Sequence, residues 1–313
     1  MNPLSGSPRL RQTPIVVGHR GARGVLPENT LAGLQYLDSI GVDAVEIDVQ
    51  NAAGQIPVVI HDPRIPVAIA KLPTGDRLAA PGPRIVETRV DELQRYDIGQ
   101  LDMASSYGQN YPDQVPVPGQ RVPTFEAICA YAADHPSLTL YVEIKSFADR
   151  ADLGDPPEIL ADRVLDIADA YDLRPRLVIS SFDWRVLRAV SLRAPSIKRG
   201  YLSYIQRPNP TMQPNIIDQS AWIDHLRLED YGHSLPKMVK ALGGASWNPY
   251  FEDLTEELIA EAHHLDLDVF VWTVNDPSDI KNMIDLQVDG LITDYPERAL
   301  QALQQTVIAD ASL

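Results

Sequence analysis

The amino-acid sequence predicts an α/β protein whose parallel strands close into an eight-stranded (β/α)8 barrel. Apolar runs of strand length alternate with helical patterns, which is typical of βα repeats around a parallel sheet. Nine runs qualify as strands: 15–19, 44–50, 56–61, 138–145, 177–182, 198–203, 245–250, 269–274 and 290–293. Only five residues, 51–55, separate the second run from the third, so these two runs are too close for a parallel crossover.

The short connection 51–55 therefore predicts an antiparallel hairpin that turns near Gly54. The chain would run out along 44–50 and return along 56–61, which leaves eight parallel strands for a TIM barrel. A doubly wound open sheet is the alternative architecture. The glycine-rich phosphate loop that such a sheet usually carries is absent from the sequence.

Two segments interrupt the βα pattern. Residues 63–122 are rich in proline and glycine and follow His61 almost directly. Loops of such length inside compact domains are usually functional or disordered, so we expect a cap insertion beside the active-site mouth. Residues 204–220 predict a second long loop. We expect a single domain over 1–313, with the cap 63–122 inserted within it.

Composition and charge exclude several classes of protein. The chain carries 27 basic and 43 acidic residues, a net charge of −16, which disfavours a nucleic-acid partner. No apolar run approaches 18 residues, so we expect no integral membrane segment, and residues 1–14 lack the apolar core of a leader peptide. We expect a soluble, cytoplasmic protein. The sequence does not indicate its oligomeric state.

Carboxylates interrupt two of the apolar runs. Residues i and i+2 of a strand share a face, so Glu46 and Asp48 point one way while their apolar neighbours point the other. Glu143 and Lys145 repeat this arrangement in the run 138–145. Carboxylates are seldom buried without a compensating charge, so these positions indicate a functional site.

Two histidines and an arginine are predicted to meet the carboxylates. His19 and Arg20 end the first run, and the hairpin returns His61 beside the second. The carboxyl ends of barrel strands carry catalytic residues, so all of these side chains converge on one mouth. Imidazoles have the intrinsic pKa that suits a general acid and a general base near neutral pH.

The charges of these groups indicate a metal ion and an anionic ligand. Three carboxylates without a cation would repel each other strongly, whereas a divalent cation leaves one negative charge and the two basic residues then make the site positive by one. Oxygen ligands favour Mg²⁺ or Ca²⁺, with Mn²⁺ as a further candidate. In the alternative interpretation, Lys145 and Arg20 simply neutralise the acids as ion pairs.

Seven motifs in this order resemble those of the glycerophosphodiester phosphodiesterase family: HRGARGVLPENT, VEIDVQ, PVVIHD, VEIKS, SSFDW, VFVWTVND and DGLITDYP. The resemblance implies a TIM barrel with an insertion after HD and a small-molecule glycerophosphodiester substrate. It implies metal ligands Glu46, Asp48 and Glu143, an acid/base pair His19 and His61, phosphate contacts Arg20 and Lys145, and pocket residues Phe182 and Trp272. The chain departs from the family pattern within the insertion, which leaves the head group open.

The family resemblance implies metal-dependent hydrolysis to glycerol 3-phosphate and an alcohol, with water or the neighbouring glycerol hydroxyl as the nucleophile. A phospholipase D-like enzyme acting on lysophospholipids or sphingomyelin is the main alternative. It would need an apolar groove, which Ile65, Val67, Ala68, Ile69 and Leu72 of the insertion could supply. A metal-dependent sugar isomerase and a non-catalytic phosphate sensor are further alternatives.

Overall fold

The computed structural model describes residues 13–208 and 212–310. It contains nine strands, at β1 Ile15–Gly18, β2 Ala44–Ala52, β3 Ile56–Val59, β4 Thr139–Ile144, β5 Leu177–Ser181, β6 Lys198–Ser203, β7 Ser246–Pro249, β8 Asp268–Val271 and β9 Gly290–Thr293. Each coincides with one predicted run. The expectation about a leader peptide concerns residues 1–14, most of which lie outside the described residues, as do residues 209–211 of the second predicted loop.

Eight of these strands form a closed parallel barrel, which confirms the predicted fold class. The hydrogen-bonded order runs β1-β9-β8-β7-β6-β5-β4-β2, and β2 pairs with β1 to close the ring. The register of β2 against β4 places Asp48 beside Glu143. Two of the predicted acidic residues are therefore neighbours across one strand pair.

The ninth strand lies outside the ring. β3 pairs antiparallel with β2, from Ala52 opposite Ile56 to Val49 opposite Val59. The strands extend closer to the turn than the sequence pattern indicates, so only residues 53–55 connect them. Gly54 and Gln55 both adopt positive φ there, at 80° and 59°, and Gly54 takes up that conformation without steric cost.

The α-helices within the described ranges are α1 Leu31–Ser39, α2 Val90–Leu93, α3 Phe125–Asp134, α4 Pro157–Ala170, α5 Trp184–Arg193, α6 Leu235–Ala241, α7 Glu256–His264, α8 Pro277–Asp285 and α9 Pro296–Asp310. All but one of them follow barrel strands along the chain; the exception, α2, lies within the insertion 63–122. Thr30 caps the first helix, because its side chain accepts a hydrogen bond from the Gly33 amide. None of the helices within the described ranges is long and apolar enough to cross a membrane.

Alternation along β2 separates two hydrophobic cores. Val45, Ile47 and Val49 belong to the large core between the sheet and the helices. Ala44 faces the barrel interior, in a cluster with Tyr141 and other inward residues. Glu46 and Asp48 share the inward face, as the period of two predicts. The apolar interior layer therefore underlies the polar mouth.

Residues 63–122 form an insertion that has an apolar core of its own. Side chains of the insertion pack there against the hairpin, in a cluster of Ala52, Val58, Ile60, Ile65, Ala70, Leu78, Ile85, Leu93, Ile98 and Val122. Ile65 is fully buried in this cluster, and Ile69 is buried against Leu101 and Tyr111. Ile65 and Ile69, which the lipid alternative would place in an apolar groove, are therefore buried in the insertion's own packing.

Candidate active site

All the predicted site residues lie in a strand or within two residues of its end. They are distributed over six elements: His19 and Arg20 after β1, Glu46 and Asp48 in β2, His61 after β3, Glu143 and Lys145 at the end of β4, Phe182 after β5, and Trp272 after β8. Parallel strands in a closed barrel bring these ends to the same face.

Three carboxylates form the centre of this site. Glu46, Asp48 and Glu143 each offer an oxygen, and these oxygens all lie within 4.8 Å of one another. The residues are 5%, 0% and 9% exposed, so water screens their mutual repulsion only weakly. Such a cluster needs cations, protons or both.

Two basic side chains contact the carboxylates. Lys145 Nζ lies 3.0 Å from Asp48 Oδ1 and 2.6 Å from Glu143 Oε1. Arg20 Nε lies 3.2 Å from Asp48 Oδ2, and its Nη1 donates to Glu28 Oε1 at 3.0 Å. The charge count from the sequence omitted Glu28. With it, four carboxylates face two cations, and a divalent cation would make the site neutral rather than positive.

The donor set fits a hard divalent cation, because ion pairs leave part of it uncompensated. Within the described ranges, Glu46 Oε1 is buried without any hydrogen-bond partner. Burial raises the pKa of Glu46 well above its ordinary value, and repulsion from Asp48 and Glu143 adds to this. Clustered carboxylate oxygens with an unsatisfied member are what Mg²⁺ or Ca²⁺ binds.

Asp48 is held in its ionised form by its neighbours. Burial alone would raise its pKa, but the charges of Lys145 and Arg20 hold it well below the ordinary value. Asn29 donates from Nδ2 to Asp48 Oδ2 at 2.9 Å and accepts from the Asp48 amide at 3.2 Å. Asn29 therefore orients Asp48, while its neighbour Thr30 caps the helix.

His19 is oriented by a residue on the last strand of the barrel. Its Nδ1 lies 2.7 Å from Asp294 Oδ1, and its Nε2 lies 3.8 Å from Glu46 Oε2. Arg23 also donates to both oxygens of Asp294, at 2.8 and 3.0 Å. Burial, together with the charge of Arg23, lowers the pKa of His19 from 6.5 to about 4, because Asp294 offsets only part of these effects. The imidazole is therefore neutral near pH 7.

His61 is oriented by Asp62, its neighbour in sequence, and its backbone is held by Gln50 of β2. Its Nδ1 lies 2.6 Å from Asp62 Oδ1. The buried Gln50 of β2 donates from Nε2 to the carbonyl oxygens of Ile60, His61 and Asp62, at 2.9, 3.3 and 2.8 Å. Gln50 therefore fixes the backbone that follows β3. Both histidines thus turn Nδ1 to a carboxylate and keep Nε2 for other contacts.

Aromatic side chains line the opposite side of the mouth. The rings of Phe182 and Trp272 meet edge to face at 5.1 Å, and Lys145 Nζ lies 6.0 Å from the centroid of Phe182. Trp272 is fixed by its Nε1, which donates to the Asn248 carbonyl oxygen at 2.9 Å. The ring pair therefore adjoins the charged cluster through Phe182 and Lys145.

A closed (β/α)8 barrel with acidic, basic and histidine side chains clustered at its mouth is typical of TIM-barrel enzymes. Residues 19–298 match the model of the glycerophosphoryl diester phosphodiesterase family. The chain belongs to that family, which confirms both the expected family and the expected class of enzyme.

Individual relatives agree along nearly the whole chain. A glycerophosphodiester phosphodiesterase of Caldanaerobacter subterraneus subsp. tengcongensis is 27% identical over 291 residues, which cover 93% of this chain and 98% of the relative. A Silicibacter pomeroyi structure assigned to the glycerophosphoryl diester phosphodiesterases is 35% identical, with a TM-score of 0.83 over 96% of this chain and 95% of that one. An Oleispira antarctica phosphodiesterase, solved with the product sn-glycerol-3-phosphate, shares the fold at 23% identity, with a TM-score of 0.68 over 93% and 97%.

Proposed function

We propose that this protein hydrolyses small-molecule glycerophosphodiesters to glycerol 3-phosphate and a free alcohol, using Mg²⁺ or Ca²⁺, with Mn²⁺ as a further candidate. The observation that carries the proposal is the buried triad of Glu46, Asp48 and Glu143, with oxygens within 4.8 Å of one another, between two basic residues and two carboxylate-oriented histidines. The Oleispira protein, a relative in fold, was solved with the same product class.

The three carboxylates would hold the cation. When bound, the cation would supply Lewis-acid polarisation of the phosphate group and reduce the negative charge of the mouth. The residues of the chain supply the rest. Lys145 and Arg20 contact the phosphate oxygens and stabilise the charge that develops in the transition state.

His19 and His61 form the acid/base pair of this proposal. Each imidazole is held by a carboxylate on Nδ1, at 2.7 Å from Asp294 and 2.6 Å from Asp62. With Nδ1–H donated to the carboxylate, Nε2 is the nitrogen that exchanges a proton with substrate. One histidine deprotonates the nucleophile and the other protonates the leaving alkoxide.

The burial of the insertion's apolar residues favours a small substrate over a lipid. Ile65 is fully buried and Ile69 is 5% exposed, so neither is available to hold an acyl chain. We therefore prefer glycerophosphodiesters to lysophospholipids or sphingomyelin. We also propose that residues 63–122 act as the cap of a single catalytic domain, in keeping with their contacts to the loop after β1.

The test is a panel of glycerophosphodiesters and lysophosphatidylcholine, assayed with EDTA and after addition of each metal. We expect turnover of glycerophosphodiesters that EDTA abolishes and metal restores. Preferential turnover of lysophosphatidylcholine would favour the lipid alternative, and no turnover of any diester would refute the proposal. His19→Ala and His61→Ala should each lose at least about 10²-fold in kcat with an unchanged circular dichroism spectrum.

A further inference from the structure

The insertion is bound directly to the loop that follows β1. Gln114 donates from Nε2 to the carbonyl oxygen of Arg23 at 2.7 Å, and the Val115 amide donates to the Val25 carbonyl oxygen at 2.8 Å. That loop also carries His19 and Arg20. A segment distant in the chain thus has a rigid connection to two proposed site residues.

The side chain of Tyr107 also contacts this loop. Its hydroxyl donates to Glu28 Oε2 and accepts from Arg23 Nη1 at 3.3 Å. Its ring meets Tyr111 edge to face at 5.3 Å. Burial raises the pKa of Tyr107 well above its ordinary value and the charge of Glu28 adds to this, so the hydroxyl keeps the proton that it donates.

Glu28 connects Tyr107 to Arg20. One carboxylate oxygen accepts from Tyr107, and the other accepts from Arg20 Nη1 at 3.0 Å. Arg20 Nε lies 3.2 Å from Asp48 Oδ2. Glu28 therefore orients the guanidinium through a hydrogen bond to Nη1, whereas the Asp48 contact at Nε is an ion pair without a hydrogen bond. Arg20 Nη2 makes no hydrogen bond within the described ranges, which leaves this nitrogen for a phosphate oxygen.

We propose that Tyr107 is a positioning residue through which the insertion sets the orientation of Arg20, and with it the affinity of the site for phosphate. The inference rests on the proposed phosphate-binding role of Arg20. Without the hydroxyl of Tyr107, Glu28 loses a donor and its carboxylate is free to rotate. The Arg20 guanidinium then samples orientations that do not match a phosphate group, which costs binding more than turnover.

The test compares Tyr107→Phe with Tyr96→Phe. The first variant keeps the ring packing and loses only the hydroxyl. The second removes a hydroxyl from the same insertion at a tyrosine that packs against the insertion's own core. Steady-state kinetics give KM and kcat, and calorimetry with inorganic phosphate in the presence of Mg²⁺ gives a Kd that does not depend on turnover.

For Tyr107→Phe we expect KM for the diester and Kd for phosphate to rise about five- to tenfold, with kcat within about twofold of wild type. Tyr96→Phe should leave all three unchanged. In a Glu28→Gln background, the Tyr107→Phe change should have less than about half its effect on Kd, because the connection is already broken.

Equal Kd values for Tyr107→Phe and Tyr96→Phe would overturn the inference, as would a full Tyr107→Phe effect in the Glu28→Gln background. If the wild type hydrolyses no diester, the proposed function fails. The phosphate titration then still decides whether Tyr107 acts on Arg20.

Discussion

Replacing Asp294 by Asn should separate the orientation of His19 from the stability of the barrel. Asp294 is fully buried after β9 and binds His19, the Nε and Nη2 of Arg23, and Asn275 Nδ2 at 2.7 Å. Burial alone would raise its pKa, but Arg23 and His19 hold the pKa of Asp294 well below its ordinary value. Asp294 therefore stays charged at every working pH, and Asn removes that charge at nearly constant shape.

Two losses follow from this substitution. The amide no longer enforces Nδ1–H on His19, and loss of a carboxylate that orients a catalytic imidazole costs between about 10²- and 10⁴-fold in kcat. The guanidinium of Arg23, whose side chain is 10% exposed, loses its buried partner. Breaking such a pair costs about 3–5 kcal/mol, or roughly 5–8 °C in Tm for a chain of 313 residues.

The double variant Asp294→Asn with Arg23→Gln distinguishes the two effects. Removing both charges should recover most of the lost Tm, because no unpaired buried charge remains, while kcat stays low. Thermal melts and steady-state kinetics on wild type, both single variants and the double variant provide the measurement. If kcat recovers together with Tm, Asp294 acts only through folding and the proposed orientation of His19 is wrong.

Two further predictions concern the hairpin and the insertion. Gln50→Leu removes the amide that donates to three carbonyl oxygens around His61, so kcat should fall about 10- to 100-fold while phosphate Kd stays within about twofold; an unchanged kcat would contradict this. Burial alone would raise the pKa of Asp97, but the amides of Gly99 and Gly119, at 2.9 Å each, hold it below 3.8. The ionised Asp97 carboxylate therefore stabilises the fold at pH values above its pKa in the unfolded chain. This stabilisation is lost as the pH falls through its pKa in the folded protein. In melts recorded from pH 7 to pH 3, Asp97→Asn should have a lower Tm than wild type near neutrality, by a difference that narrows below about pH 4. A constant difference would refute this reasoning.

The strands, and the meeting of the site residues at one mouth, could be predicted because both follow from local sequence patterns. Alternation in β2 fixes which face holds Glu46 and Asp48, and the five-residue connection excludes a parallel crossover. Since the parallel strands of a barrel share one mouth, residues at their ends meet without further information. The fold class and the position of the site follow from these rules alone.

The residues that orient the site could not be predicted in the same way. Asn29 and Gln50 carry no pattern in the sequence that marks them as supports of the site. Their partners are determined by contacts that no short window contains. Asp294 is 275 residues from His19 in the chain. One signal was available: both follow the strands that close the barrel, so ring closure brings them side by side.

The insertion was the least predictable part. Its proline- and glycine-rich sequence has no periodicity, so apolar positions such as Ile65 could equally line a groove or fill a core. In the structure, Ile65 and other apolar residues of the insertion pack into a core. The role of Tyr107 depends on how that core docks against the loop after β1. That geometry results from side-chain packing, which sequence pattern does not encode.

The contacts of Glu46 bear on the two interpretations that the sequence left open, ion pairs alone or a metal ion. Lys145 and Arg20 form ion pairs with Asp48 and Glu143. Within the described ranges, the Glu46 carboxylate accepts a hydrogen bond from the Arg20 amide at 2.9 Å and lies 3.8 Å from His19 Nε2, but it forms no ion pair with a lysine or an arginine. Ion pairs alone therefore leave Glu46 uncompensated. If the cluster binds a divalent cation, its addition at about 100 times Kd should stabilise wild type by about 2.7 kcal/mol, or roughly 4 °C in Tm.

Glu46→Gln should remove most of this metal-dependent rise and should melt no lower than wild type in EDTA, because the amide removes a buried charge that Asp48 and Glu143 repel. Glu87→Gln, at a carboxylate that is 62% exposed and pairs with Arg84, is the matched control and should keep the full rise. A wild type whose Tm ignores Mg²⁺, Ca²⁺ and Mn²⁺, or a Glu46→Gln variant that responds as wild type does, would show that ion pairs alone balance the site.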